Sequence, residues 1–193
     1  MFEQIKEALK SFTFLKPNDI FLISSISKIG VIKKGEHIIK QGELNYDAMI
    51  VVKGLFRHYN IDEHGEEKTL MFASERKFTG CFDTIMLNKP STENIVALEN
   101  SIIIKCDTRA VDKIASDNIS ILKIQLDAYK QIIISNVEHS KLLTILSPDE
   151  RYTYFCKIHP DLEQRIKQKY LASYLGVTPT SLSRIRAKLS KRS

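Results

Sequence analysis

Residues 168 to 188 run Gln168-Lys-Tyr-Leu-Ala-Ser-Tyr-Leu-Gly-Val-Thr-Pro-Thr-Ser-Leu-Ser-Arg-Ile-Arg-Ala-Lys188. Leu171, Leu175, Val177, Leu182 and Ile185 are spaced to close two short helices over a shared core, with the small Ala172 where the helices cross. Gly176 is the residue type that supplies a left-handed backbone at the end of the first helix. Thr178 can cap a second helix over 178–190, and Pro179 suits its first position, where a missing N–H costs nothing. That helix would present Thr180, Ser181, Arg184 and Lys188 outward, with Gln168, Lys169 and Thr178 at its border. An ordinary helical hairpin needs the apolar spacing but not the Gly, the Thr and the Pro in register. The stretch reads as a helix-turn-helix, in which an Arg such as Arg184 can make a bidentate contact to guanine in the major groove.

The charge distribution points the same way. The chain carries +6 overall. Residues 151–193 hold Arg151, Lys157, Arg165, Lys167, Lys169, Arg184, Arg186, Lys188, Lys191 and Arg192 against Asp161 and Glu163, whereas residues 1–150 are slightly acidic. A basic tail on a near-neutral body is the footprint of phosphate contact, and such contacts are salt-sensitive.

Composition bounds the rest. At 193 residues and 43% hydrophobic, the chain can fill one domain of typical size and a smaller one. No window approaches the roughly 18 uninterrupted apolar residues of a membrane span, and the opening residues do not form a secretory signal. Cys81, Cys106 and Cys156 are odd in number and far apart, so no metal site and no cofactor is expected, and the thiols read as reduced, in a cytoplasmic protein.

Upstream, Phe2, Ile5, Leu9 and Phe12 predict a short helix over 2–12, and Asn18 or Asp19 predicts the cap of a second, through Ile26. From Gly30 the period changes to short β-branched and aromatic runs at 31–32, 37–39, 48–52, 55–59, 68–72, 94–98 and 101–104, punctuated by Gly35, Gly42, Gly54 and Gly65. Strands at this spacing imply a barrel or roll ending near Lys105. From about Asp117 to Leu146 there is neither Pro nor Gly. One apolar row runs Ile119, Leu122, Leu126, Tyr129, Ile133, Val137 and a second runs Ile121, Ile124, Ala128, Ile132. A helix apolar on two sides must bury itself twice, and its own β domain and a partner chain are the natural candidates. Ser147-Pro148-Asp149-Glu150-Arg151 marks a hinge and a new helix, which His159-Pro160 breaks.

In this order the elements resemble the Crp/Fnr family of bacterial transcription regulators over nearly the whole chain. Lys34–Glu43, Val51-Val52-Lys53-Gly54 and Asp62–Gly65 are similar to strand–turn segments of the family's β-roll. Leu146–Tyr152, leading to Gln168–Pro179, resembles the subgroup common in Bacteroidetes. The resemblance implies an α+β fold in three parts. Residues 1–116 would form a cyclic-nucleotide-binding-like β-roll (a double-stranded β-helix, or jelly roll) with N-terminal helices. Residues 117–146 would form a dimerisation helix, and 147–193 a helix-turn-helix domain lacking most of the wing, since the sequence ends at Ser193. It also implies double-stranded DNA, a second copy of the chain and RNA polymerase as partners, an effector of unknown identity, no membrane and no catalysis.

Departures from the family pattern sharpen these expectations. Cyclic-nucleotide-responsive members carry a Gly-Glu pair and then an Arg-Ser/Thr pair in the phosphate cassette. Here the stretch reads Gly80-Cys81-Phe82-Asp83 and then Pro90-Ser91-Thr92-Glu93, so Cys81 replaces the Glu and Ser91 the Arg. Without a cation a buried phosphate lacks its main compensation, and cAMP and cGMP are not expected to bind tightly. Gly80, Cys81, Ser91 and Thr92 remain the candidate effector-pocket residues. His58 and His64 read as surface strand and turn residues rather than haem ligands, and no N-terminal cysteine cluster suggests an iron–sulfur centre. In the reading helix Pro179 and Thr180 stand where familiar members have Arg and Glu, so only Arg184 matches a base-contact position. The function expected is a homodimeric, sequence-specific regulator. The alternatives are a small-molecule sensor whose DNA binding is weak or non-specific, and an enzyme using Cys81 as nucleophile with His58 as base.

Overall fold

A computed structural model of the chain describes Ile5 and residues 7–190. Part of the helix expected over 2–12, including Phe2, therefore lies outside the described residues. Within the described part, Leu9 N–H donates to Ile5 O and Phe12 N–H to Leu9 O, both at 2.9 Å. Helix α1 spans Pro17–Ile26. It begins one residue before the expected cap, with Asp19 in its first turn accepting from Lys16 N–H at 2.9 Å.

Eight strands follow: β1 Ser27–Ile32, β2 His37–Ile39, β3 Asp47–Lys53, β4 Phe56–Ile61, β5 Glu67–Ala73, β6 Phe78–Gly80, β7 Asn94–Ala97 and β8 Ser101–Asp107. They form two sheets, ordered β1-β8-β3-β6 and β2-β7-β4-β5. The long antiparallel pairs set the register, with Ile29 opposite Ile104, Ile50 opposite Ile104 and Phe56 opposite Ala97. Because side chains alternate across a strand, Met49, Val51 and Ile103 of the first sheet face inward to join Ile39, Phe56, Ala73, Ile95 and Ala97 of the second. This interior is the core of the β-roll. The other face of the first sheet carries Ile50 and Ile104, which cluster with Ile5, Ala8 and Leu9. Burial of side chains of this size stabilises by about 1.5–3 kcal/mol each. Gly54 turns β3 into β4 where a Cβ would stand only 2.0 Å from Ser101 Oγ, so no other residue fits.

Four helices complete the described chain after a short helix, α2, at Phe82–Leu87 and an eight-residue α3 at Thr108–Ala115. They are α4 Ile119–Ile145, α5 Pro148–Ile158, α6 Gln168–Tyr174 and α7 Pro179–Ser190. Helices α2 and α3 and strand β6 escape the sequence reading because each is too short to show a period. The 27 residues of α4 amount to about 40 Å at ~1.5 Å per residue. Its two apolar rows separate only in part: Ile121 and Ile124 are buried and Ile119, Leu126, Ile133 and Val137 exposed, whereas Leu122 and Tyr129 of the one row and Ala128 and Ile132 of the other are half-buried. Contacts divide the chain into two compact units, one of Met1–Asn60 with Phe72–Ile132 and one of Ile61–Met71 with Ile133–Ser193. Among the described residues no helix is long and apolar enough to cross a membrane, and no cluster of His, Cys, Asp and Glu could hold a metal ion.

Candidate functional site

In the second unit, α6 and α7 pack through Leu171, Ala172, Leu175, Leu182 and Ile185, all buried. The turn between them is built from local backbone chemistry. Gly176 has φ 65°. Val177 N–H reaches back to Ala172 O at 3.0 Å and Gly176 N–H to Ser173 O at 3.1 Å, the paired bonds that end a helix on a left-handed residue. Ser181 N–H then donates to Thr178 Oγ1 at 3.1 Å, which caps α7 with Pro179 at its first position.

Arg151 braces this turn. Its Nη1 donates to Leu175 O at 3.0 Å, its Nη2 to Leu143 O at 2.8 Å and its Nε to Leu146 O at 2.9 Å. A cation thus sits at the carbonyl-rich C-terminal ends of both α4 and α6, the favourable end of each helix dipole. A Cβ on Gly176 would come within 3.1 Å of Arg151 Nη1. On the other side of α6, Thr69 N–H donates to Ser173 Oγ at 2.8 Å. His139 stacks on Tyr174 with ring centroids 4.1 Å apart and bonds Tyr174 O through Nε2 at 2.8 Å. Burial holds the His139 imidazole below its ordinary value, against the opposing pull of that bond.

The residues singled out from sequence divide into two kinds. Lys169, Thr180 and Arg184 are exposed. Ser183 and Ala187 join Thr180 and Arg184 on one outward face of α7, and neither is conspicuous in sequence because small residues carry no periodic signal. The others, of which Thr178 and Lys188 are also exposed, make bonds within the chain. Thr178 and Ser181 form the cap, and Gln168 Nε2 donates to Pro179 O at 2.7 Å and to Ser183 Oγ. Lys188 pairs with Asp149 of α5. Arg186 is half-buried, with its guanidinium 5.6 Å from the Tyr152 ring and 2.6 Å from Glu163. Lys191 and Arg192 lie outside the described residues.

In the first unit, the side chains of the stretch expected to form an effector pocket bond largely to one another, with Cys81 and Ser91 buried and Thr92 exposed. Cys81 is fully buried and its Sγ lies 3.0 Å from Thr84 Oγ1, which donates onward to Lys89 O. Ser91 is also buried and donates to Glu93 O at 2.7 Å. The Asp83 carboxylate accepts from both Thr92 N–H at 2.8 Å and Thr92 Oγ1 at 2.6 Å. An anion belonging to the chain itself therefore takes donors that an anionic ligand would need.

His58 is not a surface residue. It is completely buried, and the physical reason is that β4 is covered on both faces, so strict alternation does not hold there. Its Nε2 lies 2.7 Å from Thr79 Oγ1 and its ring is stacked 5.9 Å from Phe82. Nδ1 stands 3.1 Å from Glu93 Oε1, yet the angles do not make that contact a hydrogen bond. Among the described residues no bond joins His58 to Cys81, so the nucleophile–base pairing considered from sequence has no geometry behind it. Arg57, beside His58, is buried too, with its guanidinium 4.4 Å from the Tyr59 ring. His64 is exposed in its turn, as expected.

Comparison with known proteins agrees with this layout. The family model of the cyclic nucleotide-binding domain matches residues 30–134. No curated protein sequence matches the chain. Among solved structures, FixK2 from Bradyrhizobium japonicum superimposes with TM-score 0.75 at 17% identity over 86% of each chain. A CooA mutant from Carboxydothermus hydrogenoformans gives TM-score 0.73 at 15% identity, covering 96% of this chain and 84% of that one. A protein described as a crp/fnr-family transcriptional regulator, from Eubacterium rectale, gives 0.71 at 16% identity, covering 96% and 88%. The protein belongs to the cyclic nucleotide-binding domain family, and its fold is the one shared by these Crp/Fnr-type structures.

Proposed function

We propose that the chain is a homodimeric, sequence-specific DNA-binding transcription regulator of the Crp/Fnr type, without catalytic chemistry and with no cyclic nucleotide as its ligand. It acts in the cytoplasm and addresses RNA polymerase from its operator. Residues 1–116 are the sensing β-roll, 117–146 the dimerisation helix and 147–193 the helix-turn-helix domain, in which α6 supports and α7 reads. The observation that carries this reading is the division of labour on α7. Its inner face and its cap hold the fold, while Thr180, Ser183, Arg184 and Lys188 stand exposed, Ser183 taking a bond from Gln168 and Lys188 pairing with Asp149, and Thr180 and Arg184 have the reach to touch base edges. Lys169 stands exposed at the start of α6 to meet phosphate, a contact that positions the protein without specifying sequence.

The exposed row Ile119, Leu126, Ile133 recurs every seven residues, the spacing of a self-pairing seam, and it supports the dimer. Charged substitution tests it. Ile133→Glu is expected to halve the mass in sedimentation velocity with the circular dichroism spectrum unchanged. A wild-type chain that sediments as a monomer at micromolar concentration contradicts the dimer. For the cassette, the Asp83–Thr92 bonds and the buried Cys81 and Ser91 support a site unfavourable to phosphate, since an entering anion would have to displace a carboxylate from its donors.

A further inference from the structure

The outer face of the first sheet does not pack completely against the helices that cover it. A cavity of about 110 Å³ remains there. Ala48, Ile50 and Ile104 form its floor, and Ile121, Ile124 and Ala128, the inward row of α4, form the facing wall. None of the four cassette residues expected to line an effector pocket borders it. Phe82 and Thr79 do border it, and both touch His58, which stacks on the ring of the first and lies 2.7 Å from the hydroxyl of the second.

The chemistry of the wall decides what can enter. No Lys, Arg, Asp, Glu or His is among the lining residues. The polar side chains that border the space are each engaged by the chain. Ser27 Oγ donates to Ile23 O at 2.6 Å, Thr108 Oγ1 donates to Tyr46 O at 2.9 Å, and Thr79 Oγ1 meets His58. Gln125 Nε2 bonds Asp112 and the Tyr129 hydroxyl, and Cys106 Sγ leans on Ala48 O at 3.8 Å. Burial pushes the Cys106 thiol up to about 12, so it stays neutral and behaves as an apolar wall. A water needs two to four polar partners to be held in a cavity, and apolar cavities of ~150 Å³ stay dry and bind benzene or xenon. The space here is somewhat smaller than that and equally poor in partners.

We propose that this cavity is a binding site for a small, uncharged, apolar molecule on the scale of a single aromatic ring. The occupant fills space the fold leaves empty and gains dispersion contacts that the lining otherwise lacks. Because α4 forms one wall with Ile121, Ile124 and Ala128 and carries the exposed row Ile119, Leu126, Ile133, occupancy bears on the helix assigned to pairing. That consequence rests on the proposed regulatory reading; the binding itself does not.

Benzene is the probe, added to the full chain labelled at isoleucine δ-methyls. Saturable shifts are expected at Ile50, Ile104 and Ile124, at least threefold larger than at Ile39 and Ile95 in the β-roll core. Ala128→Leu, which fills the space, is expected to abolish them. Should that variant not fold, Ala48→Val on the opposite wall serves the same end. Sodium benzoate, the same ring with a carboxylate, is expected to leave the methyls unmoved. Absence of saturable shifts, larger shifts at Ile39 and Ile95, shifts that persist in a folded filled variant, or equal binding of benzoate would each overturn the proposal. Neither DNA nor dimerisation enters this readout, so its failure is distinguishable from failure of the regulatory reading.

Discussion

Replacing Arg151 by Met keeps the aliphatic stem and removes a guanidinium that three main-chain carbonyls share. Leu143 O, Leu146 O and Leu175 O each accept from it at 2.8–3.0 Å. Hydrogen bonds to a charged group contribute about 1.5–3 kcal/mol when measured singly. Arg151 is only half-buried and the freed carbonyls can take up water, so the three do not sum. About 2–4 kcal/mol is the expected cost. Lysine in its place keeps the charge at the two helix ends but cannot spread over three acceptors, and it should recover less than half of the loss. The assay is urea unfolding followed by circular dichroism at 222 nm, comparing wild type with Arg151→Met and Arg151→Lys. A loss of stability in Arg151→Met below about 0.5 kcal/mol, the range of an ordinary surface change, would refute the bracing role. Equal stability of Arg151→Lys and wild type would refute the argument from geometry and leave only charge.

Three further outcomes follow from the same structure. Gly176→Ala places a side chain at φ 65° and against Arg151, and should cost about 1–2 kcal/mol from the backbone alone; an unchanged urea midpoint would contradict the left-handed turn. Burial lowers the pKa of His139 below its ordinary 6.5, so the native state binds fewer protons than the unfolded chain. The stability this provides is complete above pH 6.5 and is lost as pH falls through the lowered value. His139→Phe, which keeps the stacking on Tyr174, should flatten the loss of urea stability between pH 7.5 and 5, and an identical pH dependence in wild type and variant would count against it. Calorimetry with cAMP and with cGMP should give no saturable heat at micromolar concentrations, and tight binding of either would mean that the Asp83–Thr92 closure opens readily.

The features legible in sequence are those fixed by local chemistry. Gly176 and Thr178 reveal themselves because a left-handed residue and a helix cap each require a particular residue type, and the core positions around them repeat at helical spacing. The buried and exposed sides of α4 are readable in part, since a period of 3.6 separates Ile121 and Ile124 from Ile119, Leu126 and Ile133 but leaves Leu122 and Tyr129 half-buried between them. What stays hidden depends on partners distant in the chain. Lys188 is an exposed cation as its sequence suggests, but its pairing with Asp149, 39 residues earlier, leaves no local trace. Arg151 looks like part of a hinge until the ends of two helices converge on it. His58 looks like a surface residue because alternation assumes one wet face, and β4 has none until Asn60. The apolar cavity is invisible for the same reason: sequence shows that Ile50, Ile104 and Ile124 are buried, but not that they leave a gap.

The central claim is that the outward face of α7 reads DNA sequence, and selection from a randomised duplex pool by the ligand-free protein tests it most directly. At near-physiological salt the account predicts a palindrome with half-sites one helical turn apart, roughly 34 Å, whose enrichment disappears in Arg184→Ala while Arg184→Lys keeps only weak retention. Retention of DNA with no enriched motif, or the same motif recovered by Arg184→Ala, would contradict it.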